Sequence, residues 1–342
     1  MSDLDDALER FQGRGFEYAG GLTNHGPMAV EALAELGHPA LIPGFVDAYE
    51  PRLPPLESGR WIAPAQRMAA RGRVERLGDW RVTFEREMEE GDWSDLVRRE
   101  ASTMIAGLFS GGTHGLLRVA HALRALERDE TPIRRRELAF GLAYWAGTYQ
   151  ELPGVPGRCA EPGWGPVEML TRVEPISPAD RVPGFFTEGV KALDSHARYV
   201  EAVEKIDLEI PSLDAFVGKL CRSAARLYLR SPGARIAYIH AVTAPSALRL
   251  LFPYLEPETA RRAAGYALQA AAALHAVSSC ESGEESGAEV KKLAEDPAEI
   301  RYRAACSLEE HAIKFSEACL REDALFPDPA FRIAAADAAL HL

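Results

Sequence analysis

Apolar residues recur at three- and four-residue intervals through most of this 342-residue chain, and almost nowhere at intervals of two. That periodicity predicts helices over 94–108, 114–127, 132–149, 212–229, 234–251, 257–278 and 297–321. Ala, Leu, Arg and Glu fill these stretches, and all four are good helix formers. Only 173–176 and 206–210 read as short extended pieces, both flanked by proline. There is no βαβ alternation and no GxGxxG or Walker pattern, which argues against a self-contained nucleotide-binding domain. The fold expected is all-α: a single large helical domain over 1–342, with a buried histidine-rich site between its helices.

Punctuation along the chain supports this reading. Pro27 stands at a helix entrance after Asn24-His25-Gly26. Ser110-Gly111-Gly112 ends one helix, with Thr113 expected to cap the next. Thr131-Pro132, Ser212 with Asp214, and Glu256-Pro257 open three more. Residues 150–186 are rich in Pro and Gly yet carry Trp164 and Phe185-Phe186, a pattern expected of an ordered lid loop. Residues 281–288 read as a solvated surface loop.

The net charge of −12 and pI near 5.3 repel phosphate backbones, so no nucleic-acid partner is expected. No apolar run reaches the length of a membrane span, and the acidic start, Asp3 to Asp6, is unlike a signal peptide. A cytoplasmic protein is expected. Cys159, Cys221, Cys280, Cys306 and Cys319 form no CxxC pair and read as reduced thiols. Only six of the 39 Lys and Arg residues are lysine, which draws notice to any lysine in an apolar setting.

Nine histidines carry the chemistry. His25 and His114 each stand at a helix entrance, and at His114 the helix dipole favours the neutral, metal-binding imidazole. His240 lies on an apolar helix, in Tyr238-Ile239-His240-Ala241-Val242-Thr243. His311 and Lys314 are three apart, hence on one helical face, beside Ala312, Ile313 and Phe315. His121, two turns beyond His114, and His275 are reserve ligands; His38, His196 and His341 read as surface residues. A lysine in a low-dielectric pocket loses its proton more readily, and the neutral amine can take up carbon dioxide as a carbamate. Histidines with one carboxylate-type ligand suit non-haem Fe(II) with a position open to dioxygen.

Five stretches, in order, carry a resemblance to a known family: Thr23-Asn24-His25-Gly26-Pro27-Met28-Ala29; Gly111-Gly112-Thr113-His114-Gly115-Leu116-Leu117-Arg118; Arg136-Glu137-Leu138-Ala139 with Ala143-Tyr144-Trp145-Ala146; Ile239-His240-Ala241-Val242-Thr243; and His311-Ala312-Ile313-Lys314. Over about 15–322 the chain resembles the questin oxidase-like family. Fungal members serve polyketide secondary metabolism, opening an anthraquinone ring oxidatively. The resemblance implies a helical protein with a buried mononuclear iron site. Its ligands would be His25, His114, His240 and His311, with Lys314 the candidate carboxylated lysine. Fungal members tend to carry a histidine where this chain has Arg118.

The expected function is therefore a non-haem iron oxygenase, a monooxygenase or dioxygenase acting on an aromatic phenol or quinone with dioxygen. Arg118, Tyr144 and Thr243 are candidate catalytic residues, and Tyr238 a candidate orienting one. Tyr144, Trp145, Tyr149, Phe185 and Phe186 are candidates for a stacking pocket. The alternatives are an NADPH- or flavin-assisted Baeyer–Villiger-type monooxygenase, a metal-dependent hydrolase, and a non-catalytic helical binding protein.

Overall fold

The computed structural model describes residues 2–159, 163–279 and 287–342. Cys280 and most of the expected 281–288 loop lie outside the described residues. The chain is all-α. Among the described residues, eighteen α-helices are joined by short 3₁₀ turns, and the one hairpin pairs Glu17–Tyr18 with Leu22–Thr23. None of these helices is long and apolar enough to cross a membrane.

Packing falls into two compact units: residues 1–150 with 253–255, and residues 151–252 with 256–342. In the first, helix Pro132–Gly147 is buried against both His114–Arg128 and Leu77–Glu90. Two glycines let the backbones of His114–Arg128 and Pro132–Gly147 close on one another. A methyl group on Gly115 would stand 2.8 Å from Trp145 Cα, and one on Gly141 would stand 3.0 Å from the Val119 nitrogen. The Gly-Gly-Thr-His-Gly segment is thereby wedged into the core of this unit.

In the second unit, helix Arg235–Leu251 is the hub. It packs on Leu213–Arg230, Pro257–Ser278 and Glu310–Leu325. Residues 150–186 hold helix Pro166–Arg172 and are tied to helix Pro257–Ser278. Gln269 Nε2 donates to the Pro153 and Gly154 carbonyls (3.0 and 3.1 Å), and the Ile176 amide donates to Ala276 (2.8 Å).

Helices 257–278, 212–229 and 234–251 stand where periodicity puts them, within a residue or so. Three expectations need correction. The stretch 297–321 is two helices, Pro297–Cys306 and Glu310–Leu325. Leu308 takes a left-handed conformation (φ 55°), and the Glu309 carboxylate restarts the helix by accepting from the Ala312 amide (2.7 Å). Thr113 precedes helix His114–Arg128 but makes no cap bond, because its own φ of 77° places its side chain elsewhere. Residues 173–176 form no strand, and Ile206 makes only an isolated bridge with Trp164.

Candidate functional site

Each unit brings two of the candidate histidines together, His25 with His114 (both buried) and His240 (buried) with His311 (half-buried). In the first, His25 enters helix Gly26–Glu35. Its amide donates to Tyr49 Oη (2.9 Å), while Asn24 Oδ1 accepts from the Gly26 amide (3.0 Å). Three successive left-handed residues, Gly111, Gly112 and Thr113 (φ 58°, 64°, 77°), precede His114. A β-branched residue there costs about 1–3 kcal/mol, which the surrounding packing must sustain. The turn points the Gly111 carbonyl at His114 Nδ1, 2.6 Å away. The His25 and His114 rings stack with centroids 4.5 Å apart and planes at 21°.

Helices Gly26–Glu35 and His114–Arg128 also share a buried ion network. Glu31 receives bonds from Arg124 to both carboxylate oxygens (2.7 and 2.6 Å) and from His121 Nδ1 (2.6 Å). Burial alone would raise the Glu31 pKa, but Arg124 and His121 overcome it and hold it down to about 2. Glu31 is therefore an ionised acceptor, and His121 Nδ1 is its donor.

Arg118 is buried and forks onto Glu137 (2.6 and 3.1 Å), with its guanidinium over the Phe16 and Phe140 rings. The Tyr144 hydroxyl bonds to Thr23 Oγ1 (2.7 Å) and donates to Glu17 Oε1 (2.9 Å). Trp145 spends its indole N–H on the Gly107 carbonyl.

In the second unit, His240 Nδ1 lies 2.7 Å from the Ile236 carbonyl of its own helix. Burial, aided by His311 and Lys314, pushes its pKa down to about 3, so the ring is neutral at physiological pH. His311 sits in the first turn of helix Glu310–Leu325. Its Nδ1 contacts Glu309 Oε1 at 2.9 Å, and the His240 and His311 centroids are 5.7 Å apart with planes at 65°. The Phe186 ring meets His240 edge-on at 5.6 Å.

Lys314 is 3% exposed. Burial pushes its pKa down to about 8, against the opposing pull of Glu310 and Glu309. Thr243 returns its hydroxyl to the Ile239 carbonyl (2.9 Å), and Tyr238 Oη bonds His275 Nδ1 (2.8 Å). Phe185 is exposed, while its neighbour Phe186 is the one that meets a candidate histidine.

Thus the structure brings His25 to His114, and His240 to His311. It ties the reserve residues His121 and His275 to Glu31 and Tyr238. The carboxylates that support these groups, Glu17, Glu31, Glu309 and Glu310, escape a search for motifs.

Backbone carbonyls accept and cannot donate. Nδ1 of His114 and His240 must therefore carry the proton, leaving the lone pair of the neutral ring on Nε2. Glu309 imposes the same tautomer on His311: burial works to raise its pKa, but the His311 bond outweighs it, and the carboxylate stays ionised. Compared with models of known protein families and with curated proteins, the chain matches none.

Proposed function

We propose that this chain is a non-haem iron oxidoreductase that uses dioxygen to cleave or oxygenate the ring of a polycyclic phenol or quinone. One observation carries the reading. Three histidines, His114 and His240 buried and His311 half-buried, have Nδ1 tied to an acceptor, the orientation that presents Nε2 to a metal. The candidate donors are His240, His311 and Lys314 in the second unit and His25 and His114 in the first.

Fe(II), when bound, supplies the electron without which dioxygen reacts slowly with a closed-shell ring. The remaining tasks fall to the chain. Burial keeps His240 neutral, so it competes for metal without first losing a proton. It also lowers the cost of an unprotonated Lys314 amine. That amine adds carbon dioxide and releases one proton, giving a carbamate anion whose oxygen suits Fe(II) as a carboxylate does. Phe186 packs edge-on against His240.

Elemental analysis of protein purified without affinity tag or chelator tests the reading. Stoichiometric iron is expected in the wild type, with loss in His311→Ala and weakened retention in Lys314→Met. His114→Ala reads the first-unit pair separately. A carbon-13 carbamate signal from labelled bicarbonate, absent in Lys314→Met, is expected as well. Zinc in place of iron would move the assignment to a hydrolase. No metal after anaerobic reloading with Fe(II) would overturn it.

A further inference from the structure

We propose that Glu17, Tyr144 and Thr23 form a proton relay running from a half-buried carboxyl group to the residue two places before His25. The inference rests on the oxygenase reading, because reactions of dioxygen with phenols and quinones move protons as well as electrons. It concerns the first unit alone.

The geometry is a chain of three oxygens. Thr23 Oγ1 lies 2.7 Å from Tyr144 Oη, which lies 2.9 Å from Glu17 Oε1. The hairpin register places Glu17 directly across from Thr23, so one phenol spans both. Thr23 and Tyr144 are buried, and Glu17 is half-buried.

The Tyr144 ring is held rigidly. It stacks on Phe16 with planes at 5°, and its hydroxyl is pressed against Gly111, where an added methyl group would stand 3.0 Å from Oη. Gly111 is the residue whose carbonyl fixes His114. The relay and the histidine pair are thus built on the same two segments, 17–25 and 111–114.

The order of donors depends on one proton. With Glu17 ionised, Tyr144 donates to Glu17, and Thr23 donates to Tyr144. With Glu17 protonated, the carboxyl donates to Tyr144, Tyr144 to Thr23, and the Thr23 hydroxyl points onward to an oxygen of a bound phenol or quinone. One transfer moves a single proton. Each oxygen gives one and receives one, Glu17 is refilled from solvent, and no oxidant is consumed. Burial and the nearby Glu57 carboxylate raise the Glu17 pKa, while the Tyr144 bond opposes them. Burial and Glu17 raise the Tyr144 phenol well above its ordinary range, with Arg118 pulling the other way, so the phenol passes protons without becoming a phenolate.

The test has two arms. In the first, difference infrared spectra of the metal-free protein are recorded across acid pH. We expect a protonated-carboxyl band that is absent in Glu17→Gln, that titrates above the ordinary glutamate value of 4.5, and whose midpoint moves in Tyr144→Phe. A band with an ordinary midpoint, or one indifferent to Tyr144→Phe, overturns the relay.

In the second arm, iron-loaded protein is given 1,8-dihydroxyanthraquinone and dioxygen, and kcat is followed against pH. A limb that falls as pH rises through the infrared midpoint is expected. It should vanish in Glu17→Gln and Tyr144→Phe, with at least a ten-fold lower acid plateau and unchanged iron content. A retained limb in iron-replete variants overturns the relay while leaving the oxygenase reading intact. Absence of iron-dependent oxygen uptake in the wild type overturns the oxygenase reading, and the relay's role with it, whatever the infrared spectra show.

Discussion

The two histidine pairs are held in different ways. His25 and His114 stack face to face on backbone machinery: a hairpin, a left-handed Gly-Gly-Thr turn and a carbonyl acceptor. His240 and His311 meet edge to face on helices. There the supporting acceptors are a carbonyl for one ring and a carboxylate for the other, with a buried lysine nearby. The first arrangement fixes ring position through chain conformation. The second adds charge, because Glu309 makes the His311 ring the more electron-rich donor. The difference teaches that a histidine pair can be set by strain or by electrostatics, and that the two should fail differently under mutation.

Glu309→Ala should have the largest effect. It removes the His311 acceptor and the cap on the Ala312 amide together. Iron affinity is expected to fall about 10- to 100-fold, as for other losses of a histidine's supporting carboxylate. Stability should fall by about 1 kcal/mol from the lost cap. Calorimetric titration with Fe(II) under anaerobic conditions reads the first effect and urea unfolding the second. Unchanged affinity would erase the contrast drawn between the pairs.

Gly111→Ala probes the other arrangement. Its φ of 58° disfavours any Cβ, and the new methyl group would meet Tyr144 Cε1 at 2.8 Å. A loss of about 2 kcal/mol or more is expected from strain and clash combined. The urea midpoint reads it. An unaffected midpoint would show that the turn is not rigid.

A third effect, read through pH, sharpens the picture of the first unit. The folded-state pKa of Glu31 is about 2, below the ordinary 4.5. A depressed carboxylate stabilises the fold fully above its unfolded value, and that contribution is lost as pH falls through the folded value. Glu31→Gln should therefore be less stable than wild type at neutral pH, with the gap narrowing from about pH 4.5 down toward 2. Urea unfolding across that range checks the sign. A gap that stays constant on acidification would mean the Glu31 charge contributes nothing to stability.

Much of the helical order was legible in the sequence, because periodicity, proline entrances and Ser or Thr caps all report on local geometry. The boundary at Leu308–Glu309 was not, since a left-handed leucine carries no compositional flag and the flanking pattern stays helical. Thr113 misled in the opposite sense: threonine before a helix signals a cap, but here two preceding glycines dictate the turn. The candidate histidines could be singled out from their apolar or helix-entrance settings. Their partners could not, because Glu31 lies 90 residues from His121 and Glu17 lies 127 from Tyr144. Charged residues at such separations look like ordinary surface until the fold brings them together.

The acceptors behind the histidines also differ in how they can drift. Those of His114 and His240 are main-chain carbonyls, atoms that no substitution at 111 or 236 removes, although only glycine suits the turn at 111. No single codon change abolishes either atom. The acceptor of His311 is the Glu309 side chain, one base away from glutamine, lysine or glycine. Variation among descendants of this chain would therefore fall unequally on the two pairs. The first would be held for as long as residue 111 stays glycine, and the second would be the place where selection adjusts the strength of the site one nucleotide at a time.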